Sequence, residues 1–94
     1  LVSVRPEAGV DRNKITRYME EHNVQTRLLF SGNLIKHPCF DQIRGTGAYR
    51  VAGTLDVTEF IMNHTFWVGV YPGMTDVMID YMAKVMIEAV RCGK

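Results

Sequence analysis

Three stretches of the chain have the side-chain pattern of β-strands. The segments Val24–Phe30 and Thr65–Tyr71 alternate their side chains with a period of two and contain β-branched and aromatic residues, which favours strands. A shorter apolar run at Leu1–Val4 predicts a further strand at the start of the chain. Because successive side chains point to opposite faces of a strand, Arg27 is predicted to point away from Phe30.

Two helices are predicted from caps and from apolar residues at helical spacing. Asp11 can cap a first helix that runs to about His22, and Asn23 can end it in the left-handed conformation. Thr75 can cap a longer helix, which Gly93 can end. The apolar face of this longer helix is formed by Met78, Tyr81, Met82, Val85, Met86 and Ala89.

A short third helix is predicted between these two. Asp56 and Glu59 have the spacing of a capping box, which opens a helix through Met62 that Asn63 can close. Before this helix, residues 34–53 contain several glycines and no periodicity. A loop of this length inside a compact domain is usually functional or held by a partner.

The predicted elements follow the order β-α-β-loop-α-β-α. This order predicts a single α/β domain over residues 1–94, of the two-layer α+β type, with a small three-stranded sheet and helices on one face. The other face of the sheet, with Leu29 and Trp67, is then expected to pack against another part of the protein. The chain begins at Leu1 without an initiator methionine, so we expect a part of a longer protein whose neighbouring domain covers that face.

The charges of the chain are almost balanced. Its 94 residues include 11 Lys and Arg against 10 Asp and Glu, which argues against a nucleic-acid partner or an anionic membrane surface. No apolar run approaches the roughly 20 residues that span a bilayer. Cys39 and Cys92 fit neither a disulfide framework nor a C-x-x-C motif, so we expect reduced thiols in a cytoplasmic protein and no metal site.

The histidines and glycines do not form a recognisable catalytic motif. His22 lies on the apolar edge of the first predicted helix, where a packed histidine is more common than a base. His37 and His64 have no nucleophile or carboxylate in an evident catalytic arrangement. Gly45 and Gly47 lack the preceding strand and following helix of a phosphate-binding loop.

Arg27 and Asn33 are the strongest candidates for binding. Arg27 lies on a mostly apolar strand, where its charge needs a partner or an anion, and Asn33 lies in the Ser-Gly-Asn turn that follows. Both side chains can bind a phosphate or a sugar. An ion pair of Arg27 with Glu59 or Asp56 is an equally good interpretation from the sequence.

Two segments of the chain resemble a known family. They are TRLLFSGNLIKHP, from Thr26 to Pro38, and YRVAGTLDVTEFIMNHTFWVGVYPGMTDVMIDYM, from Tyr49 to Met82. Both are similar to the C-terminal part of the sugar 3-dehydratases within the fold-type-I pyridoxal-phosphate sugar aminotransferase family. The most specific motifs lie at Arg27–Leu34 and Ile61–Thr75.

The resemblance implies a longer parent enzyme of dideoxysugar and lipopolysaccharide biosynthesis. In such an enzyme a large domain holds pyridoxal or pyridoxamine phosphate, and a small C-terminal domain closes over a nucleotide-linked 4-keto-6-deoxyhexose that loses its 3-hydroxyl. The resemblance further implies a homodimer and, in the CDP-sugar branch, an iron–sulfur cluster and a reductase partner. The 94 residues themselves are expected to be inactive and to carry no cofactor.

The resemblance also implies roles for individual residues. Arg27 and Asn33 match the family's strand and turn beside the active-site cleft, which implies contacts of both side chains with the substrate. His37 stands where the family often has glutamine, so its role is left open. Three alternatives also stay open: the small domain of a sugar-nucleotide aminotransferase, a non-catalytic ligand-binding or regulatory module, and a dimerisation domain.

Overall fold

The computed structural model describes all 94 residues and contains one antiparallel sheet of three strands. The strands are β1 (Val2–Ser3), β2 (Thr26–Leu28) and β3 (Thr65–Val68). β3 lies in the centre, so the sheet order is β1-β3-β2. On its two sides, Phe66 of β3 is paired with Val2 and with Leu28. The predicted α/β class and the order of strands and α-helices are confirmed, although all three strands are shorter than predicted.

Three α-helices accompany the sheet: α1 (Arg12–Glu21), α2 (Asp56–His64) and α3 (Asp76–Cys92). The predicted caps of the first and last helices are confirmed. The side chain of Asp11 accepts a hydrogen bond from the backbone N–H of Asn13, and Thr75 does the same for Met78. Asn23 follows α1 with a left-handed φ of 60°. None of the helices is both long and apolar enough to cross a membrane.

The start of α2 differs from the prediction. Leu55 is the residue that precedes the helix, and it makes no side-chain capping bond. Asp56 is already inside the first turn, and the carboxylate of Glu59 contacts Asn33 and Lys36 outside the helix as well as Asn63 within it. The predicted capping box is therefore wrong. The spacing of the two residues fits a capping box, but the path of the preceding loop brings other hydrogen-bond donors within reach of the Glu59 carboxylate.

The hydrophobic core lies between one face of the sheet and the helices α1 and α3. Phe66 of the central strand is fully buried, and α1 and α3 pack against each other over the same face. The buried hydrophobic residues are Val4, Ile15, Met19, Val24, Phe66, Val85 and Ala89. The predicted apolar face of α3 is buried only in part: Val85 and Ala89 are buried, whereas Met78 and Tyr81 are 44% and 48% exposed.

The opposite face of the sheet carries large exposed side chains. Arg27 is paired with Trp67 across the strands, and Trp67 is 37% exposed. Regular pairing ends at Leu28, so the alternation of faces does not continue to Phe30. The ring of Phe30 instead lies beside Trp67, with 6.3 Å between the ring centroids. The predicted placement of Phe30 and Arg27 on opposite sides of the sheet is therefore wrong.

The molecule is elongated for its size. Its extents are 53 × 31 × 22 Å and its radius of gyration is 16.6 Å, against about 13 Å for a compact chain of 100 residues. Residues 41–54 are exposed, apart from a half-buried Tyr49. The predicted long loop is thus present, and it lies outside the core.

Candidate functional site

The turn after β2 packs closely against α2. Gly32 has a φ of 56°, and a Cβ atom at this position would lie 2.5 Å from Cγ of Met62. Both the left-handed backbone and the close approach require glycine here. The next residue, Asn33, donates its backbone N–H to the thioether sulfur of Met62 at 3.2 Å.

Asn33 is buried beneath this turn. Its side chain is oriented by Glu59 of α2, because Nδ2 of Asn33 donates to Oε2 of Glu59 at 3.1 Å. Only 3% of Asn33 is exposed. The other oxygen of the carboxylate, Oε1, lies 2.7 Å from Nζ of Lys36. Glu59 therefore joins both ends of the Asn33–Lys36 segment to the helix.

These contacts favour the charged form of Glu59. The hydrogen bond from Lys36 is the main reason why the pKa of Glu59 is lowered from 4.5, and the bond from Asn33 acts in the same direction. A side-chain hydrogen bond from Asn63 adds to the effect. The carboxylate thus remains an acceptor for the turn at neutral pH.

The segment after the turn is held by its own side chains. Nε2 of His37 is hydrogen-bonded to the carbonyl oxygen of Ser31. Arg44 donates to the carbonyl oxygens of Ile35 at 2.9 Å and His37 at 3.2 Å, and it forms an ion pair with Asp41 at 2.6 Å. His37 therefore helps to close the turn.

Arg27 has no such partners. Its guanidinium forms no hydrogen bond and no ion pair, and the side chain is exposed beside Trp67. The predicted alternative of an ion pair with Glu59 or Asp56 is wrong, since Glu59 is paired with Lys36 and Asp56 forms no ion pair. The charge of Arg27 makes a small contribution to the lowered pKa of Glu20, whose main causes are the hydrogen bonds from Thr26.

The structure thus separates the environments of the two predicted site residues. The amide of Asn33 is used inside the turn, whereas the guanidinium of Arg27 is free for an anion. No hydrogen bond joins Arg27 and Asn33. Their contacts with a substrate stay predictions. Sequence reasoning missed Glu59 as the anchor of the turn, although a buried asparagine after Gly32 requires some acceptor.

The histidines His22 and His64 each contact a carbonyl oxygen and an aromatic ring of their own helix. Nδ1 of His22 is 2.7 Å from the carbonyl oxygen of Tyr18, and the two rings are stacked. Nδ1 of His64 is 2.9 Å from the carbonyl oxygen of Phe60, also with stacked rings. The cysteines are exposed and unpaired, and no cluster of three or more His, Cys, Asp or Glu side chains is placed to hold a metal ion.

Comparison with known proteins defines the class of this chain. Residues 1–87 match the DegT/DnrJ/EryC1/StrS aminotransferase family. The chain therefore belongs to this family, and the resemblance to the sugar 3-dehydratases within it is confirmed by the relatives described next.

Two relatives are similar over most of the chain. One is a dTDP-4-dehydro-2,6-dideoxy-D-glucose 3-dehydratase of Saccharopolyspora spinosa, which is 43% identical over 95% of the chain. The other is the lipopolysaccharide biosynthesis protein RfbH of Salmonella typhimurium, which is 42% identical over 86% of the chain. The matched residues span only 18% of the length of each relative.

Proposed function

We propose that this chain is the small C-terminal domain of a pyridoxal- or pyridoxamine-phosphate-dependent dehydratase. The parent enzyme removes the 3-hydroxyl of a nucleotide-linked 4-keto-6-deoxyhexose in dideoxysugar or lipopolysaccharide biosynthesis. The name of the Saccharopolyspora spinosa relative, a 3-dehydratase of a nucleotide-linked sugar, supports this reaction, and the name of the Salmonella typhimurium relative supports a role in lipopolysaccharide biosynthesis. The small share of each relative that the chain covers supports its role as one domain among others.

The observation that carries the proposal is the free guanidinium of Arg27 on an exposed sheet face. A nucleotide sugar has a diphosphate and several hydroxyls, and a guanidinium forms strong charge-assisted hydrogen bonds with such oxygens. Arg27 is held by the pairing of β2 with the central strand, so its backbone is in a fixed position. In the proposed enzyme, Arg27 binds an anionic or sugar oxygen, while Asn33 orients the turn that borders it.

The cofactor of the parent is assigned to the part of the enzyme outside these residues. A pyridoxal phosphate site needs a cavity with donors for the phosphate and a partner for the ring nitrogen. In this proposal, the residues that bind the cofactor belong to the rest of the parent enzyme. We likewise assign an iron–sulfur cluster, a reductase partner and the dimer contacts to the parent enzyme.

The decisive experiment uses the full-length enzyme that contains this chain. With dTDP-4-dehydro-2,6-dideoxy-D-glucose as the probe, loss of water from the sugar is followed by mass spectrometry. Arg27→Gln is expected to lower kcat/KM by about ten- to a hundredfold, since a hydrogen bond to a charged group is lost. The matched control is Arg17→Gln, which removes an exposed arginine from α1 and is expected to leave kcat/KM unchanged.

Two results would contradict the proposal in different ways. A fully active Arg27→Gln enzyme would remove Arg27 from the substrate site. A wild-type enzyme that does not dehydrate the sugar but transfers an amino group to it would instead support the second candidate, a sugar-nucleotide aminotransferase. The family match favours that candidate as well, because the family is defined by aminotransferases.

A further inference from the structure

One carboxylate holds together the turn after β2. Glu59 accepts hydrogen bonds from Nδ2 of Asn33 and from Nζ of Lys36 through different oxygens. Asn63, one turn further along α2, donates to Oε1 at 3.3 Å. The carboxylate is therefore oriented by its own helix and bound at both oxygens.

Few other side chains connect the turn to α2, because Arg44, which donates to the carbonyl oxygen of Ile35, lies in the loop that follows the turn. The sheet pairing ends at Leu28, before the turn begins. The backbone N–H of Asn33 is bound only to a thioether sulfur, which is a weak acceptor. His37 bonds within the turn itself, to the carbonyl oxygen of Ser31, and so it does not connect the turn to α2. The position of the turn relative to the helix thus depends mainly on Glu59 and on the close contact at Gly32.

We propose that Glu59 is a positioning residue, which fixes the Ser31–Lys36 turn beside Arg27 and thereby sets the affinity of the enzyme for its nucleotide sugar. This inference rests on the proposed function, in which the turn borders the substrate. Glu59 does not touch the substrate itself. It acts through Asn33 and Lys36, whose contacts with the carboxylate hold the turn against α2.

The substitution Glu59→Gln separates this role from simple packing. Glutamine has nearly the same shape as glutamate, but it has a single acceptor oxygen and no charge. It can therefore not accept from both Asn33 and Lys36 in the present geometry. Asp56→Asn is the matched control, because it neutralises a carboxylate on the same helix that makes no side-chain contact with the turn.

The first measurement is hydrogen–deuterium exchange of the full-length enzyme, read by mass spectrometry. In Glu59→Gln, the hydrogen-bonded amides of Asn33, Lys36 and His37 are expected to exchange at least about tenfold faster than in the wild type, since one contact of the carboxylate is lost and the other loses its negative charge. Amides of α1 around Met19, which is fully buried, are expected to keep their rates. Unchanged exchange in the turn would overturn the inference, as would equal acceleration in the turn and in α1.

The second measurement is steady-state kinetics with the nucleotide sugar. Glu59→Gln is expected to raise KM about tenfold with kcat nearly unchanged, because a loosened turn weakens binding without changing the reacting groups. Asp56→Asn is expected to keep both constants. A looser turn with an unchanged KM would also overturn the inference, while the proposed dehydratase function would stand as long as the wild-type enzyme converts the sugar.

Discussion

At the scale of single residues, burial separates two side chains that look alike in the sequence. Arg27 and Asn33 are both polar groups near the end of β2, yet Asn33 is buried and bonded to Glu59 whereas Arg27 is free. Gly32 makes the difference, because the lack of a side chain brings Asn33 against Met62 of α2. A binding role thus suits the guanidinium of Arg27 best, and an orienting role suits Asn33.

Gly32→Ala is expected to destabilise the chain more than a matched glycine substitution. Gly9 has a similar φ of 62° but open space around its Cβ position, so Gly9→Ala tests the backbone strain alone, which is about 1 kcal/mol. Gly32→Ala also forces Met62 to move, which adds about 1 kcal/mol or more. Urea unfolding of the 94-residue chain measures both. Equal losses would show that Met62 adapts without cost.

At the scale of elements, a cap predicted from the sequence forms only where the side chains involved are not bound to another segment of the chain. Asp11 and Thr75 cap α1 and α3 as the sequence predicts. At α2 the same type of signal fails, because Glu59 is bound to Lys36 and Asn33. The element keeps its helical period, but its first turn lacks a side-chain cap.

Removal of a cap is expected to distinguish these two helices. Asp11→Ala removes the acceptor of the Asn13 N–H and is expected to lower the free energy of unfolding by about 1 kcal/mol. Asp56→Ala is expected to lower the free energy of unfolding by less than about 0.5 kcal/mol, since Asp56 is not a capping residue and its carboxylate only interacts favourably with the helix dipole. Thermal unfolding followed by circular dichroism compares the two variants. A larger loss of unfolding free energy for Asp56→Ala than for Asp11→Ala would instead support the predicted capping box.

At the scale of the whole molecule, the small core is the dominant feature. Only 12 of 94 residues are buried, and the exposed side chains include Phe30 and Trp67 on one sheet face and Met78 and Tyr81 on α3. Burial of such apolar area is the main driving force of association. The proposed catalytic domain would cover the sheet face that carries Trp67 and Phe30.

Oxidative footprinting is expected to detect this cover. In the full-length enzyme, hydroxyl-radical labelling of Phe30 and Trp67 should be much weaker than in the 94-residue chain, since both rings are exposed in the chain alone. Ile87, which is 54% exposed on α3, serves as the reference for the side away from the sheet. Equal labelling of Trp67 in the two proteins would contradict docking through this face.

The sequence by itself determined the number and order of the β-strands and α-helices, because caps and side-chain periods act over about four residues. It also indicated the family, and it pointed to Arg27 as a charge that needs either an anion or an acidic partner. Only the tertiary structure decided that Glu59 binds Lys36, that Phe30 lies beside Trp67, and that Met78 and Tyr81 of α3 stay exposed. These contacts join residues distant in the chain, so they depend on the path of the backbone between the elements.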